Sequence, residues 1–287
     1  MRLFLLFLLI TIAQFVNAQN RTLEDLYILM RAHSEEDTVQ VGLLNELSVR
    51  ILKNQPDRSL DYAQQALTLA ERLKFKSGIG EAKNNIAVFH LMTGNADLSL
   101  QFALEALKIG DQEHQVELLA NSYAILGTVY HGQLDYDKAL HYLSLAQHLN
   151  SKTKNTLIAS KIFNALGGIA RDKRKYDSAL FFYDKALVVM KEGGDDYRMP
   201  EVLNNIGIIY VRQHKMELGL DYYFKSLTAA RNDNNLRAQA LALGNIGSTL
   251  LSEKKYPEAE KFLLESLAIS KKIGNRKNLS ANYMSLG

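Results

Sequence analysis

Histidine offers the widest catalytic and metal-binding chemistry among the residue types of this chain, and seven histidines are scattered through it. His141 and His148 fall on one face of a predicted helix. Two helical turns separate them, which is too far for both to bind one metal ion. No nucleophile-elbow, phosphate-loop or zinc-protease motif is present. The sequence therefore predicts no metal site, no cofactor and no enzymatic activity within this chain.

Composition narrows the function classes further. Cysteine is absent, which excludes disulfides, thiolate metal sites and cysteine nucleophiles. The 34 basic and 31 acidic residues nearly balance, so the sequence predicts no nucleic-acid partner. One basic run, residues 171–175, falls in a predicted turn. A phosphate or membrane contact is one interpretation of this run, and a solvated turn is the favoured one.

The first 18 residues have the pattern of a secretory signal peptide. Met1-Arg2 gives a positive start, and residues 3–13 are apolar apart from Thr11. Short residues precede a predicted cleavage site between Ala18 and Gln19. A membrane anchor is the alternative, but the apolar run is shorter than the roughly 20 residues that a spanning helix needs. We therefore expect a periplasmic or secreted chain.

The rest of the chain repeats with a period of 40 residues, which is best seen at residues 118–157. A Leu-Gly or Ile-Gly pair recurs at residues 126–127, 166–167, 206–207, 246–247 and 286–287. Two series of small residues keep the same period: Ser59, Ser99, Ala139, Ala179, Gly219 and Ala259, then Ala66, Ala106, Ala146, Ala186, Ser226 and Ser266. Three series with one period indicate a repeat architecture.

Each repeat is predicted to form two antiparallel helices. Tyr123, Leu126, Val129 and Tyr130 make one apolar stripe at helical spacing. The repeats fall at about 37–76, 77–117, 118–157, 158–198, 199–236 and 237–276, behind a capping helix within residues 19–36. Residues 277–287 read as half of a seventh repeat. Because a last unit without a cap exposes an apolar face, we expect a fragment of a longer protein, or self-association through this half-repeat.

Prolines and glycines fit this register. Pro56, Pro200 and Pro257 fall where helices are predicted to begin, a position that tolerates proline. Glycine inside a helix costs about 1 kcal/mol relative to alanine. Glycine at the second position of the Leu-Gly pair, as at Gly127, therefore predicts a close crossing of two helices.

The pattern Leu126-Gly127-x-x-Tyr130, followed by Asp135-Tyr136-x-x-Ala139, resembles the tetratricopeptide repeat (TPR). The 40-residue length resembles the repeats of kinesin light chain and LGN-type scaffolds. The resemblance covers roughly residues 37–287 and implies an all-α, right-handed TPR superhelix, or α-solenoid. The chain also looks like the secreted TPR regions that precede membrane-spanning sensor kinases in some bacteria. Membrane anchoring would then come from a span C-terminal to this sequence, and any kinase activity from a part that it lacks.

The resemblance also implies a binding groove along the first helices of the repeats. In several TPR families, an asparagine just before the Leu of the Leu-Gly pair binds the backbone of an extended peptide. By position this implies Asn85, Asn205 and Asn245, with Asn84, Asn164 and Asn204 one residue earlier and Arg171 and Arg212 nearby. Other groove positions that would set a charge preference are Glu81, Asn121, His131, Lys161 and Glu201.

A carboxamide both donates and accepts hydrogen bonds, so it can pair with a peptide group of any sequence. The alternative is that these asparagines only join neighbouring repeats, and both interpretations stay open. The basic residues with which some TPR domains bind the acidic tails of chaperones are not clearly reproduced.

Three functions remain. The first is a non-catalytic module outside the cytoplasm that holds a protein or peptide segment in its groove, as the sensing region of a larger signal-transduction protein. The second is a structural envelope scaffold that assembles partner proteins on its convex surface. The third, an enzyme with a dispersed site, is disfavoured because no acid, base and nucleophile converge.

Overall fold

A computed structural model describes residues 22–194, 198–274, 279–280 and 282–284. These residues contain thirteen α-helices of ten residues or more and no strand. In chain order the helices are α1 (Leu23–Ala32), α2 (Thr38–Ile51), α3 (Pro56–Arg72), α4 (Lys76–Thr93), α5 (Ala96–Gln112), α6 (Val116–Gly132), α7 (Tyr136–Thr153), α8 (Thr156–Asp172), α9 (Tyr176–Gly193), α10 (Met199–Arg212), α11 (Met216–Asn232), α12 (Leu236–Ser252) and α13 (Tyr256–Lys272). The predicted all-α class is confirmed. The predicted signal peptide lies outside the described residues.

The helices α2 to α13 form six consecutive antiparallel pairs. Each first helix contacts its own second helix most extensively, and it also contacts the first helix of the next repeat. The second helix bridges to the repeat that follows. Because every pair contacts mainly its neighbours, the core runs continuously along an α-solenoid. The helix α1 contacts α2 at the start, and its Leu26 is fully buried.

The 40-residue series of small residues lies in the core. Ala139 and Ala146, one member of each series, are fully buried, and Gly127 contacts the same helix α7. A Cβ added to Gly127 would lie 2.6 Å from Leu143 Cγ and 3.2 Å from the carbonyl oxygen of Ala139. A larger residue at this position would therefore force the two helices of the repeat apart, which confirms the predicted close crossing.

The connections between helices recur every 20 residues, which is half the 40-residue period of the sequence motif. A residue with left-handed backbone conformation occurs every 20 positions from Lys74 to Gly274. Three of these residues are glycine, and the others carry side chains, such as Leu134 with a φ of 62°. The connection of the first repeat departs from this series, because Asn54 does not have a positive φ.

Helix starts agree with the sequence. Pro56, Pro200 and Pro257 each lie at the first or second position of a helix, as predicted. The predicted half-repeat at residues 277–287 is described only in part, where residues 279–280 and 282–284 are helical. Asn282 is buried there and donates a hydrogen bond of 2.8 Å to Ser266 Oγ.

Candidate functional site

The connection of the first repeat contacts the fifth and sixth repeats across the mouth of the groove. The Asn54 amide nitrogen donates to the carbonyl oxygen of Asn234 at 2.9 Å, although 180 residues separate the two. The Asn54 amide oxygen accepts from the backbone nitrogen of Leu236 at 3.1 Å. Beside it, Lys53 Nζ lies 3.0 Å from a carboxylate oxygen of Glu201. We call these three interactions the closing contacts, because they join the two ends of the groove.

A cavity of about 410 Å³ lies beside the closing contacts, and both Lys53 and Glu201 line it. Its walls come almost entirely from the first helices α2, α4, α6, α8, α10 and α12 and their adjoining turns. Only Met190 belongs to a second helix among the described lining residues. A cavity of this size falls within the usual range for sites that bury a small ligand or short segment.

The structure brings four of the eight predicted binding residues to this cavity: Asn85, Asn164, Arg171 and Asn205. Of the positions predicted to set charge preference, Asn121, His131, Lys161 and Glu201 also line it. Glu81 is exposed and does not line it.

The other four predicted residues lie elsewhere. Asn84 and Asn204 are 1% and 8% exposed, because their position on the first helix faces the neighbouring repeat rather than the groove. Asn245 lies on α12, where only Arg237 reaches the cavity wall. Arg212 is the last residue of α10 and is exposed outside the cavity.

The asparagines form hydrogen bonds from repeat to repeat. The Asn205 amide donates to Asn164 Oδ1 at 3.3 Å, and the Asn245 amide donates to Asn204 Oδ1 at 2.8 Å. At the other end, the Asn85 amide donates to Asn45 Oδ1 at 3.1 Å. These bonds connect successive first helices, as the structural alternative requires.

Structural bonding does not exclude ligand binding by the same side chains. A primary amide has two donors and two acceptor sites. Each inter-repeat bond described here uses one donor of one residue and one acceptor of the other. Asn85, Asn164 and Asn205 are only half-buried and line the cavity, so they retain capacity for a ligand.

The ion pair in the closing contacts is well shielded from water. The Lys53 side chain is 9% exposed and that of Glu201 is 33% exposed. Burial by itself raises the pKa of the Glu201 carboxyl. Attraction and a hydrogen bond from Lys53, followed by attraction from Arg237 and Arg198, outweigh burial and hold this pKa below its ordinary value. Glu201 is therefore ionised when the cavity is closed at neutral pH.

A second polar cluster is centred on Arg171 and Asp172, at the end of α8. Arg171 Nη1 donates to Asn205 Oδ1 at 2.9 Å, and its Nε donates to Asp172 Oδ1 at 3.1 Å. Asp172 also lies 2.8 Å from His131 Nε2. Burial raises the pKa of Asp172, but the hydrogen bond from His131 and attraction to Arg171 bring it below its ordinary value. Arg171 therefore belongs to the cavity wall, which corrects the interpretation of residues 171–175 as wholly a solvated turn.

Lys53, Arg198 and Arg237 are cavity residues that the sequence reasoning missed. They flank the groove positions of the repeat motif rather than occupying them. Only closure between the first repeat and the last two brings them together. The one signal in the sequence is the spacing from Leu47 to Ser59, which is one residue shorter than the matching spacing in later repeats and contains Lys53 and Asn54.

The described residues contain no cluster of three or more His, Cys, Asp or Glu side chains arranged to hold a metal ion. Among these residues, none of the helices combines the length and the apolar character that crossing a membrane requires.

The tetratricopeptide repeat family profile matches residues 78–147 and 198–272, together about half of the chain. The chain belongs to the tetratricopeptide repeat family. This fold is generally a non-catalytic scaffold for protein interactions. No curated protein matches the chain.

Solved structures with similar folds include several TPR proteins. A signal-transduction ATPase with a tetratricopeptide repeat sensor from Pyrococcus horikoshii aligns over 93% of this chain and 40% of its own, with 18% identity and a TM-score of 0.66. A Rap protein complexed with competence and sporulation factor aligns over 85% of this chain and 67% of its own, with 18% identity and a TM-score of 0.63. NprR in complex with its cognate peptide NprX aligns over 92% and 75%, with 17% identity and a TM-score of 0.62. At these identities the likeness establishes the fold alone.

Proposed function

We propose that this chain is a non-catalytic module that holds an extended peptide segment in its cavity. The observation that carries this proposal is the cavity of about 410 Å³ with carboxamides from successive repeats on its wall. Asn85, Asn121, Asn164 and Asn205 come from repeats two, three, four and five. A peptide group in any sequence offers one donor and one acceptor, which a carboxamide complements.

Apolar groups on the same wall support a peptide ligand. Val49, Leu52, Val88 and Met92 offer contacts for apolar side chains. Two structural neighbours also support the idea, since NprR is solved with a cognate peptide and Rap with competence and sporulation factor.

We further propose that the module acts outside the cytoplasm as the sensing part of a larger signalling protein. The predicted signal peptide at residues 1–18 supports the location. The tetratricopeptide repeat sensor of the Pyrococcus ATPase supports the signalling role by analogy. Mass spectrometry of the N-terminal peptide of the chain recovered from a cell-envelope or culture fraction tests the location. A mature N-terminus at Gln19 is expected, and an intact Met1 in the cytoplasmic fraction would contradict it.

A variant that fills the cavity tests peptide binding. Thr128 lines the cavity, and the hydrogen bond that it makes stays within its own helix, to the Ala124 carbonyl oxygen at 2.9 Å. Thr128→Trp should therefore occupy the cavity without breaking a bond between repeats. Thr228→Trp is the matched control, because Thr228 is exposed on the second helix α11 and does not line the cavity.

The readout is binding of a random peptide library to the immobilised full chain. Enrichment should be lost in Thr128→Trp and kept in Thr228→Trp. If the two variants enrich the same peptides equally, the cavity is not the peptide site and the proposal fails.

The convex surface favours a scaffold as the second candidate function. Phe181, Val188, Phe224 and Leu264 lie on second helices and are 54%, 55%, 42% and 50% exposed. Exposed apolar residues mark a protein contact surface where they form one contiguous patch. A partner that assembles on this face should lose binding in a Phe181→Ser, Phe224→Ser double variant and keep it in Thr128→Trp.

A further inference from the structure

The imidazole of His131 is held in place on the cavity wall. Its Nε2 lies 2.8 Å from Asp172 Oδ2, and its side chain is 17% exposed. Arg171 holds the other oxygen of the same carboxylate, with Nε and Nη2 both 3.1 Å from Oδ1. Arg171 in turn donates to Asn205 Oδ1 at 2.9 Å. A series of contacts from repeat three to repeat five therefore positions this ring before any ligand binds.

A glycine of the next repeat gives the ring its space. Gly168 also lines the cavity, and a Cβ added there would lie 2.7 Å from His131 Cε1. Since protein interiors are closely packed, a larger residue at this position would displace the imidazole. On α7, the ring of Tyr136 lies beside the imidazole, with the two ring centres 6.2 Å apart. Packing and hydrogen bonding together therefore hold His131.

The two nitrogens of this ring have different roles. Burial raises the pKa of Asp172, but the hydrogen bond from His131 and the attraction of Arg171 outweigh burial and hold this pKa below its ordinary value. The carboxylate is therefore ionised at neutral pH and can only accept, so the Nε2 that it contacts carries a hydrogen. His131 Nδ1 has no hydrogen-bond partner among the described residues and keeps accessible surface. In the neutral ring, Nδ1 is therefore an acceptor that the structure leaves unused.

We infer that His131 Nδ1 accepts a hydrogen bond from a backbone N–H of the bound peptide, and that protonation of the imidazole weakens binding of this peptide. This contact rests on the proposed function and specifies one residue that carries it. Protonation places a hydrogen on Nδ1, so a donor then faces the N–H of the peptide. Nε2 already donates to Asp172 and does not change. Binding should therefore weaken as the pH falls.

The titratable and charged groups around His131 come from few elements. On α8 they are Asp172 and Arg171, which pair with each other. On α7 the group is Tyr136, and Lys173 Nζ lies 5.1 Å from the centre of the Tyr136 ring. The α4 residues that line the cavity are an asparagine, a valine, a leucine and a methionine, and none of them titrates. The helix α5 contributes no described residue to the wall.

A response between pH 5 and pH 8 therefore points to His131. Histidine is the side chain that changes charge in this interval, and His131 is the one histidine among the described lining residues. The Lys53–Glu201 pair stays ionised there, because the pKa of Glu201 lies below its ordinary value of 4.5. The closing contacts should not change over this range.

The test uses acetylated and amidated hexapeptides of Gly, Ala, Ser, Leu and Val, which have no titratable group. A library of these peptides is bound to the immobilised full chain at pH 8, and fluorescence anisotropy then gives the affinity of the most enriched peptide at pH 8 and pH 5. The affinity should fall at least about fivefold at pH 5, because a hydrogen bond is lost. Replacing each peptide amide in turn by an ester removes one N–H. At one position, the ester should abolish this fall.

Two variants assign the effect. His131→Gln keeps a donor for Asp172 and an acceptor for the peptide but cannot gain a proton, so it should bind the peptide equally at pH 8 and pH 5. The matched control is His33→Gln, because His33 Nε2 also lies 2.8 Å from a carboxylate, that of Asp37, and lies outside the cavity. The control should keep the fall in affinity of the parent.

The possible outcomes distinguish the His131 contact from the proposed function. Equal affinity of the parent at pH 8 and pH 5 overturns the contact and leaves a peptide-binding cavity, as does a fall that persists in His131→Gln. If no uncharged peptide binds while the random library does, the contact alone fails. If neither library binds, the proposed function fails with it. The pH comparison and the ester series need no variant, so they decide even if a substitution prevents folding.

Discussion

Closure of the solenoid depends on Asn54, and Asn54→Ala should open it. The side chain makes two hydrogen bonds to the turn between repeats five and six, at 2.9 Å to the Asn234 carbonyl oxygen and at 3.1 Å from the Leu236 nitrogen. Alanine removes both. The Lys53–Glu201 ion pair then remains as the single described interaction of the closing contacts.

The magnitude follows from these contacts. A neutral hydrogen bond contributes a net of about 1 kcal/mol, so losing two shifts the balance between closed and open forms by about 2 kcal/mol. Since about 1.4 kcal/mol corresponds to a factor of ten, the ratio of closed to open molecules should fall about thirtyfold. Adding Lys53→Gln removes the ion pair and should shift the balance further.

A distance measurement tests this directly. The chain has no cysteine, so Asp57→Cys and Asn232→Cys provide two unique sites for spin labels at exposed positions in repeats one and five. Pulsed electron paramagnetic resonance then gives the distribution of distances between them. We expect one narrow distribution in the parent, and added longer distances in Asn54→Ala.

Asn155→Ala is the control. The Asn155 side chain caps α8 by accepting a hydrogen bond from the Ile158 nitrogen at 3.1 Å. The substitution removes this cap and leaves the closing contacts intact. It should lower the melting temperature and leave the distances unchanged. If Asn54→Ala also leaves the distances unchanged, the two hydrogen bonds do not close the solenoid and the reasoning is refuted.

Three further predictions concern single side chains. The pKa of Glu201 is lowered in the folded chain, so its ion pair with Lys53 stabilises the closed form above the ordinary pKa of 4.5. This stabilisation is lost as the pH falls through the lower pKa of the folded chain. The distances between the spin labels should therefore lengthen only below about pH 4.5, and Glu201→Gln should abolish this acid transition. Tyr183 is fully buried, its hydroxyl has no hydrogen-bond partner among the described residues, and burial raises its pKa to about 12. Tyr183→Phe should therefore raise the free energy of unfolding, measured by urea denaturation, by about 1 kcal/mol. Tyr256 is 60% exposed, so Tyr256→Phe should leave the free energy of unfolding unchanged. Leu134 has a φ of 62° and is 66% exposed. Because asparagine adopts this left-handed conformation more readily, Leu134→Asn should raise the free energy of unfolding by about 0.5–1 kcal/mol. An unchanged denaturation midpoint would contradict the argument that Leu134 is strained.

The local fold could be predicted because each repeat determines its own structure. A 3.6-residue apolar stripe with small residues at two fixed positions specifies a helix pair, and Gly127 marks where the two helices cross. Pro56 and Pro257 fix two helix starts to within a residue. These features act over one or two helical turns, so a single sequence shows them directly.

Closure could not be predicted in the same way. It depends on the small rotation between successive repeats, summed over the solenoid, and no local motif records that sum. The summed rotation brings together Asn54 and Asn234, which are 180 residues apart in the sequence. The sequence did mark the place, because the spacing from Leu47 to Ser59 is one residue shorter than in later repeats. In the structure, Asn54 lacks the left-handed conformation found every 20 positions thereafter. The cavity cations Lys53, Arg198 and Arg237 were missed as a consequence.

Mutating the groove asparagines does not distinguish a ligand-binding role from a structural one. Asn205 donates to Asn164 and accepts from Arg171, so it joins two repeats and orients a cavity cation at once. Removing it would loosen the solenoid and disturb the cavity together, and a loss of binding would not distinguish the two effects. Thr128 is a better probe, because its hydrogen bond stays within its own helix. Function in this solenoid is best tested at residues that line the cavity without carrying the contact between repeats.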